Sequence, residues 1–257
     1  MYNFRSVRTA KEHYRKYSGG GKTKVHAISD LHLSFSSGKP MDVFGEHWKN
    51  HTFLLEKHWK ELVGEDDLVL LPGDLSWAMT LDEVAEDIAW LDSLPGRKII
   101  TRGNHDYWWS SISRLKEKLP TGIIPLQHTV FDCDTAVVTG TRGWVTPESD
   151  EYVMKRDEKI YRRELGRLAI ALEAAAKIRT LGKPLIAMLH YPPVVRGIAT
   201  GFSRMLSSAG VDICVYGHIH NSPEDWPGGL DMETGGVKYL LVSADYLGFR
   251  PEELRIS

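Results

Sequence analysis

Seven side chains able to hold a metal ion recur in order along the chain: Asp30 and His32, Asp74, Asn104, His190, then His218 and His220. Each follows an apolar run that reads as a buried strand. Val25 to Ile28 leads to Asp30 and His32, and Leu68 to Leu71 leads through Pro72-Gly73 to Asp74. Ile99-Ile100-Thr101 leads past Gly103 to Asn104, His105 and Asp106; Pro184 to Leu189 ends at His190, and Val211 to Tyr216 at Gly217-His218-Ile219-His220. The two-residue spacing of Asp30/His32 and of His218/His220 points both members of a pair to one side of an extended segment. Nitrogen and carboxylate donors without thiolates suit manganese foremost, with iron, zinc or nickel beside it, better than calcium or magnesium. Seven donors are too many for one tetrahedral site but match two metals sharing a bridging carboxylate. Such a pair, about 3.5–4 Å apart, holds a hydroxide and clamps both oxygens of an in-line phosphoryl displacement. His105 follows a ligand directly and is left free to give a proton to a leaving group.

Strands and helices must alternate to deliver these groups. Leu68-Val69-Leu70-Leu71 is apolar without alternation, as expected of a strand covered on both faces. An amphipathic helix from Leu81 to Leu94, with Leu81, Val84, Ile88 and Leu91 on one side, returns the chain at Pro95-Gly96 to the next strand. That is a parallel crossover, and the carboxyl ends of strands in such sheets face the ligand crevice. A helical stripe over residues 43–63 carries His47 and His51 four apart; with no glutamate after His47 it reads as a helix surface rather than a zinc motif. Tyr107 to Leu119 reads as a helix, and Thr135 to Thr139 as a strand ending near Arg142, which either grips a phosphate or faces solvent. Glu148 to Leu181 is the longest helical segment, with Gly166 as a point of interruption. Its basic excess, Arg163 and Arg167 included, suits an anionic substrate or a solvated helix face equally. Val237 to Val242 closes the strand count near Asp245. Trp77, Tyr107, Trp108, Trp109, Trp144 and Tyr191 all lie close to a strand-end residue, as packing groups or as platforms for a base.

A formal charge of -2 over 257 residues gives no whole-protein reason to expect nucleic acid or a membrane surface as partner. Cys133 and Cys214 sit far apart in strand-like runs and read as buried free thiols. No apolar run reaches the roughly 18 residues of a membrane span, and the expected location is the cytoplasm. Residues 1–24 form a basic N-terminal extension ending in a glycine-rich joint at Ser18 to Gly21, and residues 25–257 read as one domain. Gly20-Gly21-Lys22-Thr23 imitates a phosphate-binding loop but lacks the first glycine, whose place Lys16 takes, and lacks a preceding strand.

The ordered set Asp30-Leu31-His32, Gly73-Asp74, Gly103-Asn104-His105-Asp106, His190 and Gly217-His218-Ile219-His220 resembles the five motifs of the calcineurin-like metallophosphoesterase superfamily, from Ile28 to His220. The resemblance implies an α/β fold: a two-sheet sandwich flanked by helices, with two metals at the strand ends. It implies Asp30, His32 and His220 on one metal, Asn104, His190 and His218 on the other, Asp74 between them and His105 as the acid at the substrate. Departures narrow the branch. Leu75-Ser76-Trp77-Ala78 replaces the Val-Asp-Arg-Gly pattern of the protein phosphatases, and Trp77 stands where purple acid phosphatases have a tyrosine ligand. The lipid A pathway pyrophosphohydrolases lack the histidine that His105 provides. Asp106 becomes the substitute for the carboxylate that orients the acid histidine, and Arg142, Trp77 and Tyr191 the substrate contacts. The expected activity is hydrolysis of a small phosphodiester or phosphomonoester. A binding scaffold on the same fold, or a nuclease with a basic groove, are the readings set against it.

Overall fold

The computed structural model describes residues 23–220 and 231–256; apart from Thr23 and Lys24, the expected basic extension lies outside the described residues. Two sheets form. In the first, β1 (Val25–Ala27), β2 (Leu68–Leu71), β3 (Arg97–Ile100) and β4 (Ile123–Pro125) run parallel, and β13 (Glu252–Glu253) pairs antiparallel with β1 at the edge. The second has β6 (Val137–Thr141), β7 (Leu185–Leu189), β10 (Ile213–Tyr216) and β12 (Val237–Leu241) parallel to one another. β5 (Val130–Asp132) and β11 (Met232–Thr234) are its antiparallel edges. A small hairpin, β8 (Val194–Val195) and β9 (Ile198–Ala199), lies apart from both.

The period of two along each strand builds three hydrophobic layers. Val25, Ala27, Leu68, Leu70 and Ile99 of the first sheet meet Val138, Ile186, Met188, Ile213 and Val215 of the second in a shared core. The alternate residues Val69, Leu71 and Ile100 pack against Leu55 and Trp59 of α1 (His51–Leu62), Ile88 and Leu91 of α2 (Ala85–Asp92) and Leu115 of α3 (Ile112–Lys118). Leu185, Ala187 and Leu189 pack against Leu168, Leu172 and Ala175 of α4 (Met154–Ile178) and Phe202 and Leu206 of α5 (Gly201–Ser208). Strands buried on both faces explain the apolar runs, and the α/β sandwich with outer helices is the expected one. Cys133 and Cys214 are buried free thiols. Among the described residues no helix is long and apolar enough to cross a membrane.

Helix boundaries depart from the sequence reading where loops serve the site. The stripe over 43–63 is split: two short 3-10 turns, Asp42–Phe44 and Glu46–Trp48, precede α1. Residues 81–84 turn before α2 begins. The segment after Asp106 does not enter a helix until Ile112. Trp108 and Trp109 turn into the core instead, and the Trp108 indole N–H donates to Asp106 at 3.1 Å. α4 runs unbroken through Gly166, where an added Cβ would meet nothing; a single glycine costs only about 1 kcal/mol in so long a helix.

Candidate metal centre

The carboxyl ends of β1, β2, β3, β7, β10 and β12 come to one edge, where a bridge between Ser29 and Ser243 joins the two sheets. The turns leaving these strands are not extended. Asp30, His32, Asp74 and His218 have φ of 56°, 47°, 52° and 72°, in the left-handed region that non-glycine residues enter at a cost on the order of 1 kcal/mol each. The expectation that Asp30 and His32 share a side through extended spacing is therefore corrected: they converge because both bend back. Neighbouring loops hold the bends, with Asp30 N donating to Gly73 O at 3.0 Å and His32 N to Asp74 O at 3.1 Å. Gly103 and Gly217 matter for close approach: a Cβ on Gly103 would collide with the Asp74 carboxylate, and one on Gly217 with those of Asp30 and Ser29's hydroxyl.

Asp106 is fully buried and accepts five hydrogen bonds. Asp74 N and Gly103 N reach one oxygen at 2.9 and 2.7 Å; Leu75 N, Ser76 N and the Trp108 indole reach the other at 2.9, 3.3 and 3.1 Å. The His105 imidazole is not among its partners. Asp106 ties the loop after β2 to the loop after β3, in place of the expected orientation of the acid histidine.

All seven expected ligands meet. Asn104 Oδ1 lies 2.6 Å from His190 Nε2 and 2.9 Å from His218 Nδ1. His32 Nε2 faces His220 Nε2 at 3.2 Å, and Asp30 Oδ1 lies 3.6 Å from His220 Nε2. Asp74 Oδ2 is 3.5 Å from His190 Nε2, while its Oδ1 accepts from His105 N at 2.8 Å. Two groups have ligand atoms all within 4.8 Å of one another: Asp30, His32 and His220, and Asp30, Asp74 and His190. Their overlap falls on Asp30, with Asp74 beside it in the second group.

The electrostatics call for cations. Burial pushes Asp30 up to about 6, and pushes Asp74 well above the carboxylate range with Asp30 and Asp106 adding to it. Burial drives His32 and His190 well below the usual imidazole value and His218 down to about 3. His220 goes the other way: against the lowering effect of burial, its bond to Asp245 and the Asp30 charge raise it. Two carboxylates that resist ionising beside three imidazoles that shed protons form a donor set a divalent cation satisfies. Outer partners fix the rings. His190 Nδ1 lies 3.0 Å from Pro72 O, and His220 Nδ1 3.1 Å from Asp245 Oδ1. Ser29 and Ser243 hydroxyls donate to Asp30 at 2.5 and 3.1 Å. Such contacts set tautomer and ligand basicity. Sequence reasoning passed over Asp245 in this role; the signal was another polar group just beyond a strand.

His105 is half-buried, its ring centroid 4.4 Å from that of Trp77, and its Nδ1 has no hydrogen-bond partner among the described residues. Trp77 also stacks on His32 at 4.8 Å, with Lys39 Nζ 3.3 Å from its ring centre. Tyr191 is buried against His218 at 4.3 Å, and the Arg142 guanidinium lies 4.4 Å from the Trp144 ring centre. Trp108 and Trp109 are core residues, and Tyr107 is exposed. His47 and His51 stay outside the cluster; His51 Nδ1 sits 3.2 Å from Trp48 O.

Comparison with known proteins places this geometry. The calcineurin-like phosphoesterase family matches residues 23–222, most of the chain. The Gene 66 proteins of Mycobacterium phages L5 and D29 are 33% identical over 78 residues and 35% over 85 residues. These stretches take in 30% and 33% of this chain but only 37% and 41% of the relatives' own lengths. Among solved structures, phosphopantetheinyl hydrolase from Mycobacterium tuberculosis superposes with a TM-score of 0.58 over 93% of this chain and 98% of that one, at 14% identity, a likeness of fold.

Proposed function

This chain belongs to the calcineurin-like phosphoesterase family of metal-dependent hydrolases, and from that premise we propose that it uses two metal ions to hydrolyse a small phosphodiester or phosphomonoester. The observation that carries the reading is the meeting of four imidazoles and an amide oxygen, with Asn104 Oδ1 between His190 and His218 and His32 facing His220. Asp30, His32 and His220 would hold one ion and Asn104, His190 and His218 the other, with Asp74 shared; manganese suits this donor set. Ions so held would supply Lewis acidity toward a phosphoryl oxygen and would lower the pKa of a water enough to make it a nucleophile at neutral pH.

The chain's own residues do the rest. Asp106 holds the loops of Asp74 and Asn104 in register through five donated hydrogen bonds. Asp245 and the Pro72 carbonyl keep the inward nitrogens of His220 and His190 aimed at the centre. His105, backed by Trp77 and without a hydrogen-bonding partner on Nδ1 among the described residues, delivers a proton to the leaving oxygen. The test is hydrolysis of bis-p-nitrophenyl phosphate beside p-nitrophenyl phosphate with added Mn²⁺ and with chelator, alongside metal analysis of the protein. Turnover that chelator abolishes supports the reading, and the faster ester gives the bond type. Bound metal without turnover of either would favour a scaffold on this fold.

A further inference from the structure

A cavity of about 170 Å³ is lined by Arg102, Arg142, Arg163, Glu164, Arg167 and Thr141 among others. It is several times the ~30 Å³ that a water occupies in the liquid. Three elements build it. Arg102 lies two residues before Asn104 in the turn after β3. Arg142 follows β6, and its carbonyl accepts from His190 N at 3.0 Å. Arg163 and Arg167 stand four apart on α4 and so share a face of that helix.

The charges in this cavity do not balance. Four guanidiniums line it with a single carboxylate, and only two of them reach that carboxylate: buried Glu164 accepts from Thr141 at 2.6 Å and from Arg167 at 2.7 Å, with Arg163 3.6 Å away. Arg102 and Arg142 form no ion pair among the described residues, and Arg102 Nε is buried without a hydrogen-bond partner. Burial depresses the Arg142 guanidinium; Glu164 opposes that, and Arg102 and Arg163 add to it. Guanidinium forks match the oxygens of a phosphate, and a phosphoryl group brings up to two negative charges and three acceptors into one small volume.

We propose that this cavity is a second-phosphate subsite, so that the substrate is a small molecule with two phosphoryl groups, one at the metal centre and the other among Arg102, Arg142, Arg163 and Arg167. This rests on the metal centre being the hydrolytic site. It gives the basic face of α4 a partner and explains why two arginines reach the cavity from the ends of β3, which leads on to Asn104, and of β6, whose Arg142 carbonyl bonds the backbone of His190.

The test has two arms. In the first, inorganic phosphate is titrated calorimetrically into the full chain held in chelator, using wild type and the Arg163→Gln/Arg167→Gln double variant. Glutamine can still donate to Glu164, and Arg163→Gln alone serves if the double variant fails to fold by circular dichroism. Wild type should bind phosphate without metal, and the variant about tenfold or more weakly. In the second arm, with metal restored, adenosine 3′,5′-bisphosphate is compared with adenosine 5′-monophosphate. Wild type should favour the bisphosphate in kcat/KM by about tenfold or more, and the ratio should fall toward one in the variant. Absence of phosphate binding in chelator, equal affinity in the variant, or an unchanged substrate ratio would each overturn the subsite while leaving hydrolysis intact. Arginine-dependent phosphate binding in a metal-loaded protein that hydrolyses no ester would instead remove the substrate assignment by removing the hydrolytic reading.

Discussion

The metal centre and the arginine cavity are linked through the turn after β3 and the backbone bond between His190 and Arg142, yet they are built in opposite ways. The metal centre takes its groups from turns at strand ends, bent into left-handed backbone and locked by buried carboxylates and hydroxyls. The cavity takes half its guanidiniums from the long regular helix α4, and Arg163 is itself half exposed. One region invests backbone strain and buried charge in fixed geometry; the other places long cationic side chains around a space. The contrast matches two tasks, since a reacting phosphoryl group needs exact placement within a fraction of an ångström, whereas a spectator anion needs charge and donors.

Substitutions inside the metal centre should therefore cost the most. Asp74→Asn removes the carboxylate that we propose the metals share, grouped with Asp30 and His190, and activity should fall to the level of the chelated enzyme, with metal content falling alongside it. Full activity with undiminished metal content would break the comparison at its root. His105→Ala comes next. Esters with poor leaving groups should slow by about 10²–10⁴-fold, and nitrophenyl esters much less, because only the former need the proton. Equal losses on the two classes would show that His105 binds rather than protonates.

Asp245→Asn probes how far the fixed geometry extends. Its carboxylate reaches the far nitrogen of His220, at 3.1 Å, so its loss should weaken metal affinity by about 10–100-fold while saturating metal restores most of the rate. Binding isotherms for Mn²⁺ on the two proteins decide it. Unchanged affinity would confine the rigid shell to the ligands themselves.

The same contrast decides what could be read from the sequence. Asp30, His32, Asp74, Asn104, His190, His218 and His220 were legible because each follows an apolar run, and sheet topology carries strand ends to one edge. Their left-handed turns were not legible, since pair spacing presumes an extended chain and the bend is imposed by contacts such as His32 N to Asp74 O. Asp106 was legible as important but not in its role, because its partners are backbone N–H groups that no side-chain pattern records. The helix expected from Tyr107 gave way to the burial of Trp108 and Trp109. Arg163 and Arg167 read equally well as a solvated face, because helical spacing tells which residues share a face and not what that face meets.

A buried cation with no metal-site role lies at the other end of the strand that leads to Arg102 and Asn104. Lys98 in β3 is 2% exposed, and its ammonium donates to the Leu94 carbonyl instead of pairing with a carboxylate. Burial lowers its pKa to about 8, against 10.5 for the unfolded chain, with Asp92 and Glu65 pulling weakly the other way. Below pH 8 both states hold the proton and the folded state bears the full cost of the buried charge. Between pH 8 and 10.5 the unfolded chain binds more protons, so this group's contribution to stability rises with pH. Lys98→Met removes that dependence. It also leaves the Leu94 carbonyl without its donor, a penalty that does not vary with pH. The Tm of the variant relative to wild type should therefore be highest near pH 7 and decline steadily toward pH 10, with tyrosine ionisation cancelling between the two proteins. Thermal melts at matched ionic strength across that range measure it. A constant difference would mean that Lys98 keeps its proton when folded, and that buried charge in this protein is tolerated away from the metal centre as well as within it.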